Sequence, residues 1–179
     1  MTTPAPPSTW DTADVLPVEP SGLDVPEQEI WHAYRDATAL IEDTLDHQMQ
    51  RSAGVPHLYY RILARLSQAP VRQLRMLDLA ADTKITRPRL THAIGRLEKL
   101  GWVRRDVCPT DKRGRIAVLT DKGYEVLQRA TPGHVAALQH GIFDRLTPEQ
   151  AAQFGELCRI IAQGLESASG GAGLPWQRR

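Results

Sequence analysis

The sequence predicts a mainly α-helical fold with one small β-hairpin, an α+β class in which helices dominate. Three observations support this prediction. Apolar side chains recur at three- and four-residue steps over most of residues 27–167, which is the period of helices buried on one side. Two short alternating apolar runs flank a basic turn near residue 112, as in a hairpin. Both ends of the chain lack either pattern, so the folded part lies between them.

The two ends are predicted to be tails. Residues 1–26 hold six prolines and four carboxylates but no Lys or Arg, a composition that buries too little apolar surface to offset its ordering entropy. Residues 169–179 are rich in glycine and are also expected to be flexible. In a chain of 179 residues, a single domain over residues 27–168 is the expected organisation.

The first two helices follow from their apolar stripes. The first is predicted from Glu27 to about Gln50 and ends before Gly54 and Pro56. The second runs from Pro56 to about Ser67. Residues 71–75 form an extended stretch that is too short to be a sheet by itself.

The central segment predicts a helix-turn-helix followed by a wing. Residues 76–83 (MLDLAADT) form a short helix with Leu77, Leu79 and Ala80 facing inward. Thr86 is the predicted N-cap of the next helix, with Pro88 in its first turn, where the missing N–H does no harm. That helix ends at Gly101, and its inner face holds Leu90, Ile94, Leu97 and Leu100. Strands at 102–108 and 115–119 follow as the wing. This DNA-binding part is expected to span about residues 56–120.

Two further helices complete the domain. The first, after Thr120, carries apolar positions from Leu127 to Leu146 and is expected to bend at Pro132. The second runs from Pro148 to about Ser167. Its apolar positions recur at helical spacing and are Phe154, Leu157, Ile161 and Leu165. Because so thin a monomer cannot cover all these apolar faces, the terminal helices are expected to form a dimerisation region. The alternative is that these apolar stripes are ordinary core.

The charge of the chain is concentrated in one segment. The whole chain has 22 Lys and Arg against 21 Asp and Glu, a net charge of +1. Residues 84–115 alone hold ten basic and three acidic side chains, whereas the remainder holds twelve basic and eighteen acidic. A polyanion would therefore be attracted to the predicted helix-turn-helix and wing and not to other surfaces.

The run DKRGRIAVLTDKG at residues 111–123 resembles the D-x-R-x-x-x-x-x-L-T-x-x-G signature of MarR-type winged-helix regulators. RLEKLGWVRRD at 96–106 and LTPEQAAQF at 146–154 are also similar to that family. The resemblance covers about residues 27–167. It implies a homodimeric regulator that binds double-stranded DNA at a palindromic operator, often as a repressor, and is released by a small, frequently aromatic or phenolic ligand.

The predicted recognition helix carries the candidate DNA contacts. Its first turns present side chains that can reach base edges or phosphates in a major groove. The candidates are Thr86, Arg87, Pro88, Arg89, Thr91, His92 and Arg96. The alternative is a solvated basic face, which is common on surface helices.

The hairpin supplies a second set of candidates. Lys112, Arg113, Gly114 and Arg115 are placed at its tip, with Gly114 at positive φ and Asp111 capping the turn or holding an arginine. Lys112, Arg113 and Arg115 are the predicted contacts, because a cationic loop beside a major-groove helix can enter the minor groove. The alternative is charge that protects an edge strand from pairing.

The resemblance to this family implies a ligand pocket that lies between the dimerisation helices and the winged domain. The residues at those positions are Trp31, His32, Arg35, His57, Tyr59 and Tyr60. Aromatic walls with a few cationic donors suit a small aromatic acid. Core aromatics with satisfied polar tips are the alternative.

The remaining expectations are absences. No catalytic motif, cofactor loop or metal-ligand spacing is recognised, so no enzyme, cofactor or metal is expected. Cys108 and Cys158 are interpreted as reduced thiols of a cytoplasmic protein, and neither a signal peptide nor a membrane span is predicted. A different function class remains open: a winged-helix dimer that serves protein assembly without a specific operator.

Overall fold

The computed structural model describes residues 22–108 and 111–168, with the backbone alone for residues 111–113, 166 and 168. In that part of the chain the helices are α1 (Val25–Ala53), α2 (His57–Ser67), α3 (Met76–Thr83), α4 (Arg87–Lys99), α5 (Asp121–Gly141) and α6 (Pro148–Ala168). The strands are β1 (Gln73–Arg75), β2 (Val103–Cys108) and β3 (Asp111–Leu119). Single 3₁₀ turns lie at Pro70–Arg72 and Phe143–Arg145. The predicted mainly helical fold with a small β element is confirmed.

The chain divides into two compact units, Met1–Ala39 and Leu40–Arg179. In the first unit, α1 begins with a capping box that the sequence reading missed: the Asp24 carboxylate accepts the N–H of Glu27 at 2.8 Å, and the Glu27 carboxylate accepts that of Asp24 at 3.0 Å. These bonds start the helix at Val25, two residues before the expected Glu27. Further along, the rings of Trp31 and Tyr34 stack with centroids 5.9 Å apart.

The core of the second unit is built by α2, α3 and α4 with the end of α1 and the start of α5. Its largest fully buried side chains are Met49, Val55, Ile62, Leu63, Leu66, Leu79, Leu90, Ile94, Leu97 and Val103. Two leucines depart from the prediction, because Leu77 is 55% exposed and Leu100 is 42% exposed. The buried side of short α3 is set by Leu79, Ala80 and Thr83, and Leu100 follows the last turn of α4, where the buried stripe ends.

A three-stranded antiparallel sheet in the order β1-β3-β2 lies beside this core. The extended stretch expected at residues 71–75 becomes β1, which pairs with β3 in the register Gln73↔Val118 to Arg75↔Ile116. Before it, Val71 and Arg72 adopt positive φ of 47° and 55°. Nothing in the local composition signals that conformation, since neither residue is a glycine.

Helices α5 and α6 contain most of the remaining chain. Helix α5 continues through Pro132, so the proline does not interrupt the element. Helix α6 starts with a second capping box, in which Thr147 and Gln150 exchange backbone-to-side-chain hydrogen bonds. Its apolar residues are between 46% and 58% exposed in the single chain: Phe154, Leu157, Ile160, Ile161 and Leu165.

Candidate nucleic-acid interface

The turn between α3 and α4 is fixed by backbone hydrogen bonds. Lys84 adopts the left-handed conformation with φ 54° and ψ 33°. Its N–H bonds to the Ala81 carbonyl and that of Ile85 to the Ala80 carbonyl, which is the Schellman ending of a helix. Ile85 is buried, so the turn is also anchored by packing. The next helix can therefore begin at Arg87 with Thr86 as its N-cap, although the Thr86 side chain makes no capping bond.

Two arginines of helix α2 stabilise this turn. The Arg61 guanidinium donates to the Thr83 carbonyl at 2.6 Å, which satisfies a carbonyl at the end of α3. Arg65 forms an ion pair with Asp82 at 2.6 Å. Both arginines of α2 therefore serve the structure of the helix-turn-helix.

Helix α4 has one buried face and one polar, exposed face. Leu90, Ala93, Ile94 and Leu97 are buried, as the helical period requires. The opposite residues are exposed and include every candidate contact that the sequence named on this helix: Arg87, Pro88, Arg89, Thr91, His92 and Arg96, with Thr86 just before it. The geometry thus gathers them on a single surface, and their role as DNA contacts stays a prediction.

The arginines of this face differ from most arginines nearby in having no carboxylate partner within the described part of the chain. Among the residues that the structure describes, Arg87, Arg89 and Arg96 form no ion pair. By contrast, Arg104 pairs with Asp106 at 3.0 Å and Arg105 with Glu98 at 2.5 Å. Unpaired guanidinium groups on one helix face concentrate positive potential there and keep their donors available.

The wing differs from its prediction at the tip. Strands β2 and β3 pair in regular register from Val103↔Leu119 to Val107↔Arg115, but the next pair is Cys108↔Asp111. Residues 112–114 therefore form an irregularity within β3, a bulge on one strand. Residues 109–110, which join the strands, lie outside the described part.

This register corrects the position of the turn. Lys112, Arg113, Gly114 and Arg115 belong to β3 and not to the hairpin turn, and Asp111 begins that strand opposite Cys108. The alternating pattern from residue 115 onward located only the regular half of the strand, since a bulge breaks the alternation. The side chains of Asp111, Lys112 and Arg113 lie outside the described residues, while Arg115 is exposed and its guanidinium donates to the Gly114 carbonyl at 3.2 Å.

Comparison with known proteins agrees with this architecture. A family model described as the MarR family matches residues 53–114. The transcriptional regulator HosA of Escherichia coli O111:H- is 31% identical over 102 residues, which are 56% of this chain and 72% of that protein. The chain belongs to the MarR family. It is accordingly a DNA-binding transcription regulator.

Two solved structures from Streptomyces coelicolor extend the likeness over most of this MarR-family chain. The MarR family regulator Sco3205, in a crystal structure in complex with DNA, is 57% identical with a TM-score of 0.75, and the match covers 80% of this chain and 93% of that one. AbsC, also a MarR family regulator, is 34% identical with a TM-score of 0.74, covering 81% of this chain and 97% of that one.

The structure explains the L-T-x-x-G part of the family signature. Leu119 is buried at the end of β3. The Thr120 hydroxyl caps α5 by accepting the N–H of Gly123 at 3.0 Å, and it lies 2.8 Å from the Gly101 carbonyl to which it donates. Gly123 has to lack a side chain, because a Cβ there would lie 2.1 Å from the Trp102 carbonyl oxygen. These residues fasten the wing and α5 to the chain at the end of α4.

The candidate ligand residues fall into two groups. Trp31, His32 and Arg35 belong to the first compact unit. In the second unit, His57 and Tyr60 are buried and Tyr59 is partly buried. The His57 ring nitrogen Nδ1 lies 3.2 Å from a Glu42 carboxylate oxygen.

The sequence reading missed His134, which joins His57 and Tyr60. Its ring stacks on His57 with centroids 5.4 Å apart and lies 4.3 Å from that of Tyr60. Its Nδ1 atom is buried without a hydrogen-bond partner among the described residues. Burial lowers the pKa of His134 below the ordinary 6.5, and nearby His57 lowers it further. A lone histidine inside an amphipathic helix gives no sequence signal for this contact.

The described residues contain no cluster of three or more His, Cys, Asp or Glu side chains arranged to hold a metal ion. None of the helices in that part of the chain has the length and apolarity to cross a membrane. Both cysteines are free thiols, with Cys108 buried and Cys158 exposed.

Proposed function

We propose that this regulator binds a palindromic operator as a homodimer, with α4 in the major groove and the wing beside the adjacent minor groove. In this proposal the DNA-binding part spans about residues 56–120. Binding represses transcription until a small aromatic ligand releases the protein. The observation that carries the proposal is the exposed cationic face of α4, whose arginines form no ion pair among the described residues.

The face of α4 has the composition that duplex recognition requires. Arg87 and Arg89 lie in its first turn, where a recognition helix meets base edges, and arginine can donate two bonds to a guanine. Thr91 and His92 follow on the exposed side, and Arg96 is one turn further along. Phosphate contacts from such cations position the helix and supply much of the affinity.

The exposed apolar residues of α6 support a dimer. Five large apolar side chains along 12 residues of one helix, each about half exposed, form a surface that water disfavours. A second copy related by two-fold symmetry would cover it and would place two recognition helices about 34 Å apart, as a palindrome demands.

The cluster formed by buried His57 and Tyr60 with partly buried His134 supports a ligand site in the second unit. It combines aromatic surfaces with a ring nitrogen that has no partner among the described residues. A ligand causes release from the operator only if its affinity differs between two forms of the dimer. Its affinity has to be higher for the form that is unable to bind DNA than for the DNA-binding form. Tight binding that is equal for both forms would leave repression unchanged.

A charge-matched pair of variants tests the recognition surface. The operator is first located by footprinting the protein on DNA next to its own gene. Arg89→Ala is expected to weaken operator binding by about tenfold or more, the cost of losing one good base or phosphate contact. Arg129→Ala removes the same charge from an exposed site on α5 and should change affinity by less than about twofold. Equal effects of the two variants, or equal affinity of the native protein for operator and random duplex, would contradict the proposal.

A further inference from the structure

A groove of about 720 Å³ lies between the exposed face of α4 and strand β2. Four basic side chains line it, His92, Arg96 and Lys99 from α4 and Arg105 from β2. Glu98 is the acidic residue in this lining. The groove therefore continues the cationic surface toward the C-terminal end of the recognition helix.

Glu98 and Arg105 form a close ion pair across this groove. The Arg105 Nη2 atom lies 2.5 Å from the Glu98 carboxylate, and the two side chains are 35% and 27% exposed respectively. The hydrogen bond that the Arg105 guanidinium donates to the Glu98 carboxylate raises the pKa of Arg105 above its already high ordinary value, so the guanidinium stays charged. Gly101, at φ 75°, lets the chain reverse between α4 and β2 and so brings the two residues together.

The other arginine and lysine side chains of the groove have no such partner in the described part of the chain. Arg96 and Lys99 form no ion pair within residues 22–108 and 111–168, and both are exposed. A bare carboxylate one position from Lys99 would repel any polyanion that approached these groups. The pair with Arg105 removes that repulsion, because the carboxylate charge is compensated at hydrogen-bond distance.

We propose that Arg105 is a positioning residue for DNA binding that screens Glu98, so that Arg96 and Lys99 can take a backbone phosphate of the duplex in this groove. The inference rests on the proposed operator binding and assigns roles to Glu98, Lys99 and Arg105 that the recognition surface alone does not imply. Two roles of the Glu98–Arg105 ion pair make different predictions. If Arg105 screens Glu98, DNA binding requires only that the carboxylate charge be neutralised. If the pair is purely structural, both partners have to be present.

Three variants distinguish charge screening of Glu98 from a purely structural role of the ion pair. Arg105→Ala exposes the carboxylate and is expected to weaken operator binding by about tenfold. Glu98→Gln removes the repulsive charge and frees Arg105, so affinity should equal or exceed that of the native protein. The double variant Glu98→Gln/Arg105→Ala should recover to within about threefold of native affinity, since no bare carboxylate remains.

The measurement is fluorescence anisotropy with the footprinted operator over a salt series, with thermal unfolding of each variant as a check of folding. The slope of log affinity against log salt should decrease by about one phosphate contact in Lys99→Ala. A Glu98→Gln variant that binds about tenfold more weakly, or a double variant as weak as Arg105→Ala, would overturn the inference. If the native protein did not bind the operator, the proposed function would be contradicted instead. Failure of the inference and failure of the proposed function are therefore distinguishable.

Discussion

Gly123→Ala tests how the signature residues fasten the wing to the end of α4. The substitution adds a Cβ at a position where the Trp102 carbonyl oxygen is 2.1 Å away and a Leu119 methyl carbon is 2.9 Å away. Carbon and oxygen atoms need more than about 3 Å, so the backbone of α5 or of residue 102 has to move by about 1 Å. That movement would also disturb the bond from the Thr120 N–H to the Trp102 carbonyl, which is 3.1 Å long.

The expected size follows from two opposing effects. Alanine in a helix is favoured over glycine by about 1 kcal/mol. Overpacking against backbone costs about 3 kcal/mol or more, because a carbonyl cannot rotate away as a flexible side chain can. We therefore expect the free energy of unfolding to fall by about 2–4 kcal/mol, and the thermal midpoint by about 5–15 °C.

Thermal and urea unfolding at one fixed protein concentration measure this change, since the stability of a dimer depends on concentration. Gly95→Ala is the matched control, because a Cβ at Gly95 on α4 would meet nothing within 4 Å. That variant should gain about 0.5–1 kcal/mol. If Gly123→Ala proved as stable as Gly95→Ala, the close approach of α5 to residue 102 would be refuted.

Three further predictions concern the cap, the partly buried His134 and the exposed face of α6. Thr120→Val removes the hydroxyl that accepts the Gly123 N–H and should lower the free energy of unfolding by about 1–2 kcal/mol in urea titrations, whereas an unchanged midpoint would exclude a role for the cap. His134 has a lowered pKa in the folded protein, so its protonation favours the unfolded state and the free energy of unfolding should decline as pH falls below about 6.5. His134→Gln should make this decline between pH 7 and pH 5 shallower, and identical profiles of unfolding free energy against pH would contradict the prediction. Leu157→Glu, at a side chain 58% exposed in the single chain, should weaken self-association by about a hundredfold in sedimentation velocity while helix content is retained, and a persistent dimer would exclude this face from the interface.

Helical periodicity predicted much of the fold because most elements bury one clear stripe. Helix α3 was predicted at residues 76–83, which are its observed bounds, and α4 was predicted to begin after Thr86 and to end at Gly101, close to its observed bounds Arg87–Lys99. Local rules sufficed there, since the apolar period, the N-terminal proline and the terminal glycine all indicate the same boundaries.

The parts that depend on distant contacts were not predictable in this way. Strand β1 is three residues long and exists because β3 pairs with it. The bulge at residues 112–114 breaks the alternation by which the strand was recognised. His134 meets His57 and Tyr60 only through the packing of α5 against α2, a contact between residues about 75 positions apart that no local pattern reveals.

The most direct test of the account is a comparison of two duplexes of equal length and base composition, the footprinted operator and a scrambled version. Binding is measured by anisotropy at about 150 mM salt, and the mass of the complex is determined by light scattering. The account predicts at least about a hundredfold preference for the operator and a complex of two chains with one duplex. Equal affinity for both duplexes, or a single chain on the operator, would contradict it.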